Sequence, residues 1–158
     1  MTAKDLTREA PRRWSERIDG IAWLPRLIDK ARAFHAGTLG AYLFGQSPMD
    51  HRCLRVLGLG HNSFLAIVAD SPDDRAVLDR IVERDPQAIE RGRAWSRGFA
   101  LRNGPFLFVL DWDDGYAHPS LRVARPAVTA ACNVVSNAAK RLFPGRVKPP
   151  SSTNAAGR

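Results

Sequence analysis

Cysteine is scarce here, long apolar runs are missing, and the usual signatures of catalysis and nucleotide binding do not occur. Only Cys53 and Cys132 are present among 158 residues. Two cysteines without a CxxC spacing cannot build a disulfide framework, and each reads as a small buried apolar side chain. No stretch reaches the roughly 18 consecutive apolar residues of a membrane span. The first 20 residues, rich in arginine and carboxylates, do not resemble a secretory signal. A soluble, cytoplasmic protein is expected. There is no GxSxG and no P-loop, and GLGHNS at 58–63 lacks the last glycine and the preceding strand of a dinucleotide fingerprint. DWDDGY at 111–116 fails as a calcium loop, because Gly115 stands fifth and the twelfth residue is Arg122. His35, His51, His61 and His118 show no zinc-type spacing with one another or with Cys53. Neither a metal nor a cofactor is expected.

Acidic residues are also missing from one region. The net charge is +8, yet residues 120–158 hold seven Lys/Arg and no Asp/Glu. The basicity therefore belongs to the C-terminal quarter. An acid-free basic segment is attracted to anionic surfaces, which makes nucleic acid a weakly supported candidate partner.

What is present is helical periodicity, clearest in WLPRLIDKARAFHAGTLGAY at 23–42. Leu24, Leu27, Ile28 and Ala31 fall on one side of a helix, Pro25 suits its first turn, and Gly37 suits its left-handed stop. A helix over about 24–35 follows. Its charges Arg26, Asp29, Lys30 and Arg32 are expected on a solvated face, with Asp29 pairing to Arg26 and Arg32 at i−3 and i+3.

Before it, residues 1–14 read as an extended arm anchored by Leu6 and Trp14, and Ser15 can cap a short turn ending at Gly20. After it, Ser47-Pro48-Met49-Asp50 opens a helix, with Asp50 placed to take the N–H of the cap, and Gly58 closes it. Asn62 is the expected cap of a short third helix. Ser71-Pro72-Asp73-Asp74 opens a fourth that runs to about Arg84. Asp85-Pro86 opens a fifth, with Ile89, Gly92, Trp95 and Phe99 on one side, broken by Asn103-Gly104-Pro105. FLFVL at 106–110 is read as a buried helical turn ended by Gly115, since no partner strand is apparent, and Asp113-Asp114-Gly115 as a turn.

Residues 121–143 form an amphipathic helix, with Ala124, Val128, Ala131, Val135, Ala138 and Leu142 as the packing stripe. Thr129, Asn133, Ser136 and Lys140 lie opposite. The expected architecture is all-α: a compact bundle of short helices over 1–119, the amphipathic helix over 120–143, and a disordered basic tail over 144–158.

DLTREAPRR, RIDGIAWLPRLIDKARA, AGTLGAY and SPMDHRCLRVLGL together resemble an uncharacterised bacterial family, domain of unknown function 5069, over about residues 5–82. Where that family is expected to carry Cys-Pro-Leu-Asp, this chain has Ser47, Pro48, Met49 and Asp50, which removes any thiol chemistry at position 47. The resemblance implies no activity.

Arg26, Asp29, Lys30, Tyr42 and Asp50 are the ligand-binding candidates. Two cations could hold an anionic ligand beside two carboxylates and a phenol, although the same residues also suit a structural salt network. With no catalytic set, the expected function is that of a small helical binding or adaptor protein, with a protein partner engaging the 121–143 helix. The alternatives are an enzyme of unfamiliar type acting on an anionic small molecule, and a nucleic-acid-associated protein using the basic segment.

Overall fold

A computed structural model describes residues 3–116 and 123–142. His118, Arg122 and the basic tail beyond 142 lie outside the described residues. Among those described, seven helices and one small hairpin make an all-α fold, as expected.

The hairpin is the first departure from expectation. Strands β1 (Arg17–Ile18) and β2 (Ile21–Ala22) pair antiparallel across Asp19-Gly20, both at positive φ of 50° and 79°. Asp-Gly at the two central positions of a tight turn is a strong hairpin signal, because glycine has no Cβ to clash and Asp tolerates the left-handed region. Strands of two residues show no alternation, so the signal read as a mere turn. Arg93 clamps it, donating to the Asp19 carbonyl at 3.0 Å and to its carboxylate.

The hairpin delivers the chain into α1 (Leu24–Ala36) through Trp23, which is held at φ 68°. A bulky residue there is strained and needs surroundings that over-determine it. α1 is the hub. Leu24, Leu27, Ile28 and Ala31 are fully buried, and so, against expectation, are Arg26, Asp29 and Lys30 on its other side. A Schellman closure at Gly37 ends the helix: the Gly37 N–H donates to the Phe34 carbonyl and the Thr38 N–H to that of Ala33. α2 closes the same way at Gly58 and α6 at Gly115.

Around α1 stand α2 (Pro48–Val56), α3 (His61–Ala69), α4 (Asp74–Arg84) and α5 (Ala88–Ser96). Ser47 caps α2 by accepting from the Asp50 N–H at 3.4 Å, and Asp73 caps α4 by accepting from the Ala76 N–H at 2.8 Å. α3 starts one residue before its expected cap: Gly60 is the N-cap, and Asn62 lies inside the first turn. α5 approaches the hairpin so closely that a Cβ on Gly92 would fall 2.7 Å from Ile21 Cδ1. Ser96 seals this contact, accepting from the Ala22 N–H and donating to the Gly92 carbonyl.

The second departure is where the next helix breaks. The interruption falls at Gly98 (φ 68°), and α6 runs unbroken from Phe99 to Asp114 through Pro105. Pro105 is tolerated because the carbonyl it orphans belongs to Leu101, which is 90% exposed, so water can replace the lost N–H. The 106–110 run is helical as expected but not a buried turn. Leu107 points inward, while Phe106, Phe108 and Val109 are exposed. Asp114 ends α6, with Gly115 as its left-handed cap. Trp14 from the arm, Trp23 and Trp95 all meet Phe99, tying arm, hairpin, α5 and α6 together. The last helix is α7 (Arg125–Leu142).

Candidate functional site

The polar side of α1 faces the N-terminal arm and the end of α6, and each of its charges meets a partner from far along the chain. Arg26 lies between the rings of Trp23 and Tyr42, at 5.4 and 5.5 Å from their centroids. It donates to Asp114 at 2.6 and 3.3 Å, with both side chains at most 2% exposed. Tyr42 donates its hydroxyl to the same carboxylate at 2.9 Å. Burial, reinforced by the Asp114 charge, raises the phenol's pKa well above its usual range. Arg26 Nε is buried with no hydrogen-bond partner among the described residues.

One turn on, Lys30 donates to both oxygens of Asp50 at 2.6 Å and to the Leu43 carbonyl at 3.1 Å. The indole N–H of Trp23 donates to Asp50 at 2.8 Å. Asp50 therefore looks inward to α1 and does not reach back to the helix cap as expected; a buried ammonium is a stronger partner than an N–H at the surface. Burial lowers the Lys30 pKa, with Asp50 working against the shift, and burial pushes the neighbouring Cys53 thiol far up.

Asp29 belongs to a third cluster. It accepts from the Arg12 main-chain N–H at 2.8 Å and from the Arg12 guanidinium at 2.7–3.1 Å. The same guanidinium reaches Asp74 at 2.5 Å, and Arg32 holds the other oxygen of Asp74 at 2.8 Å. Burial works against the charge on Arg12, but Asp29 and Asp74 outweigh it and raise its pKa. Burial would also raise Asp74, yet Arg12 and Arg32 hold it below the usual carboxylate value. Arg13 extends the arm's ionic attachment to Asp111 at 2.6 and 3.0 Å.

The expected pairs within α1, Arg26 to Asp29 to Arg32, are therefore replaced by Asp114, Arg12 and Asp74, and the face is buried. Two clusters hold four of the five candidates, Arg26 with Tyr42 and Lys30 with Asp50, while Asp29 stands in the third. Sequence reasoning missed Arg12, Asp74 and Asp114. Arg12 sat in an arm without periodicity, Asp74 was read as part of a helix start, and Asp114 was read as a turn residue. The only sequence signal for such pairing was an excess of charge on a helix that also had to be central.

Open space lies elsewhere. One cleft of about 460 Å³ is lined by Arg32, His35, Val68 and Ser71 among others. Another of about 400 Å³ is lined by His51, Leu54, Arg55, Gly58, Leu59, Gly60 and His61. No group of three or more His, Cys, Asp or Glu among the described residues could hold a metal ion. None of the described helices is long and apolar enough to cross a membrane.

α7 sits beside the Arg26–Asp114–Tyr42 cluster in an inverted orientation. Ser136 donates to the Ala41 carbonyl at 2.6 Å, Lys140 to that of Gly40 at 3.1 Å, and Arg125 to that of Asp113 at 3.4 Å. Thr129 hydrogen-bonds Asp113, whose carboxyl is raised by burial and by the Asp114 charge despite that bond. The half-buried side consists of Val128, Thr129, Cys132, Asn133, Ser136, Ala139 and Lys140. Ala131, Val135, Ala138 and Leu142, expected to pack inward, are exposed, with Val135 at 68% and Leu142 at 74%. No α7 residue is buried. The physical reason is what α7 rests on: carbonyls of the 40–41 loop and the Asp113 carboxylate need donors, which the polar face supplies and the apolar face cannot.

The chain belongs to the family defined by domain of unknown function 5069 (DUF5069), whose model matches residues 8–130. That span goes well past residue 82, where the motif resemblance ended, and takes in both partners of each buried pair described above. The exposed α7 residues from Ala131 onward lie beyond it. No curated protein matches the chain.

Proposed function

We propose that this DUF5069 chain is a small helical binding or adaptor protein that docks a protein partner on the outward face of α7. The observation that carries the reading is the inverted helix. Val134, Val135 and Leu142 are 70%, 68% and 74% exposed along a helix that buries no side chain of its own. Helices in proteins draw most of their stability from burying an apolar face, and this face has no cover among the described residues. Alanines at 131 and 138 between the larger side chains suit close approach of another helix. The α1 charges fit this reading as internal supports, since Arg26 and Lys30 would have to leave carboxylates, and Asp29 the Arg12 guanidinium, to meet a ligand.

A photo-cross-linking residue at Val135 is expected to give a discrete adduct with one protein in the native cell extract. The same residue at Arg75, exposed on α4, should give none. Val134→Glu should remove the adduct without lowering the melting temperature. Equal labelling from both positions, or none from Val135, would defeat the proposal.

A further inference from the structure

The outward face of α7 is uncharged as well as apolar. Fourteen consecutive residues, Pro126 to Ala139, hold no charge in a chain whose net charge is +8. Arg125 and Lys140 flank this span, and both are turned to the domain, donating to the carbonyls of Asp113 and Gly40. A basic chain that recognised an acidic partner here would present cations to it. The middle of this face presents none, so it neither selects an oppositely charged surface nor repels another copy of itself.

The residues that do stand there are self-complementary. Ala127, Ala131, Val134 and Ala138 follow one another at steps of four, three and four, the spacing of a helix-to-helix seam, and all four are exposed. Laid antiparallel on itself about a point midway between Cys132 and Asn133, the helix sets Val134 opposite Ala131, Val135 opposite Ala130 and Ala127 opposite Ala138. The same register brings Leu142 to Val123, just ahead of the helix. Val123, Val134, Val135 and Leu142, at 92%, 70%, 68% and 74% exposure, are the large exposed apolar side chains of this segment. One register gives each of them an apolar neighbour. Large meets small at the centre and alanine meets alanine on either side of it, so two such helices can approach closely and fill the space between them. Contacts in which one residue meets a second and the second meets the first are what a twofold axis requires.

We infer that the partner docked on α7 is a second copy of this chain, with the two α7 helices antiparallel across the seam of Ala127, Ala131, Val134 and Ala138. The inference rests on the docking reading and names its partner. The 18 residues of α7 make a strip about 27 Å long and about 10 Å wide. That falls well short of the roughly 800 Å² per partner of a standard stable interface. Association is therefore weak and concentration-dependent, a pair that forms and parts with the amount of chain present.

The test is sedimentation equilibrium of the full chain from about 10 μM to about 1 mM, with disulfide trapping to fix the register. Reversible dimerisation within that range is expected. Val134→Glu should weaken it by about tenfold or more, because a carboxylate would be buried without a partner, and should leave the melting temperature of the dilute chain unchanged. In a Cys132→Ser background, an equimolar mixture of Ala127→Cys and Ala138→Cys chains should form a mixed disulfide that neither chain forms with itself. Self-linking of Ala127→Cys as efficient as the mixture would overturn the antiparallel register. Dimerisation undiminished by Val134→Glu would place the contact elsewhere and overturn the inference. A chain that stays monomeric throughout, while the cross-linker at Val135 captures a different polypeptide, would overturn the second copy and leave the docking reading standing. A monomeric chain with no Val135 adduct would defeat both.

Discussion

α1 and α7 are both amphipathic by spacing, and they sit in the protein in opposite ways. α1 is buried on its apolar side and on its charged side alike; α7 lays its polar side on the domain and turns its apolar side outward. Periodicity tells which residues share a face. What the neighbouring elements offer decides which face goes in. Asp114, Arg12 and Asp50 wait for the charges of α1, whereas α7 meets carbonyls and a carboxylate. The ionic interior of α1 is thus a matched set in which losing one member exposes another, and the surface of α7 tolerates change.

Removing one member of a matched pair is the harshest challenge to that contrast. Asp114→Ala leaves Arg26 charged at 2% exposure and Tyr42 without its acceptor, and should cost about 3–5 kcal/mol in urea unfolding. A loss under about 1 kcal/mol, the size typical of a surface pair, would mean the pair is not buried in solution. Next comes a matched comparison of apolar truncations. Leu27→Ala in α1, from a fully buried position, should cost about 2–5 kcal/mol. Val135→Ala on α7 should stay within about 0.5 kcal/mol. Similar losses at both sites would erase the distinction.

Acid sharpens it further. The folded-state pKa of Asp74 lies below its unfolded value of about 3.9. Its contribution is therefore present above that value and lost as pH falls through the lowered folded one. Asp74→Asn should be less stable than the parent at neutral pH, and the two unfolding curves should converge below about pH 4. The smallest effect is expected at Asp113, where the shift has the opposite sign. Its folded pKa is raised, so the ionised form is disfavoured in the folded protein once pH exceeds the unfolded value. Asp113→Asn should raise the melting temperature slightly at pH 7 and leave it unchanged in acid. A drop at pH 7 would show that the Thr129 contact needs the charge.

Local chemistry made much of the scaffold legible. Pro25 and Gly37 marked the ends of α1 and Ser47 proved to be the cap of α2, because caps and stops act within four residues of their own position; the Ser71-Pro72 signal was misplaced by two residues, since Asp73 caps α4 while Ser71 donates back to the Ile67 carbonyl. The break at Gly98 was displaced to Pro105 in the reading, since proline's penalty depends on whether its orphaned carbonyl faces water, and sequence does not say. The hairpin escaped because two-residue strands leave no alternation to detect. The structure sets Lys30 on Asp50 and Arg26 beside Tyr42, but Asp114 and Arg12, which hold Arg26 and Asp29, were not legible. Asp114 lies 88 residues from Arg26 and Asp111 lies 98 from Arg13, distances over which spacing carries no information.

Those separations also set an order of events at the ribosome. The arm and α1 emerge first, yet Arg13 and Arg26 acquire their carboxylates only when residues 111 and 114 leave the exit tunnel. A nascent chain halted at α5 can assemble the hairpin and the hairpin side of α1, but it would hold two arginines with no counter-charge, and the desolvation of Arg26 would be unfavourable. Closure of the ionic interior is therefore gated by chain length, late in synthesis, and long-range contacts of this kind form slowly. The end of α6 supplies the two carboxylates without which the ionic interior has no counter-charge for Arg13 and Arg26.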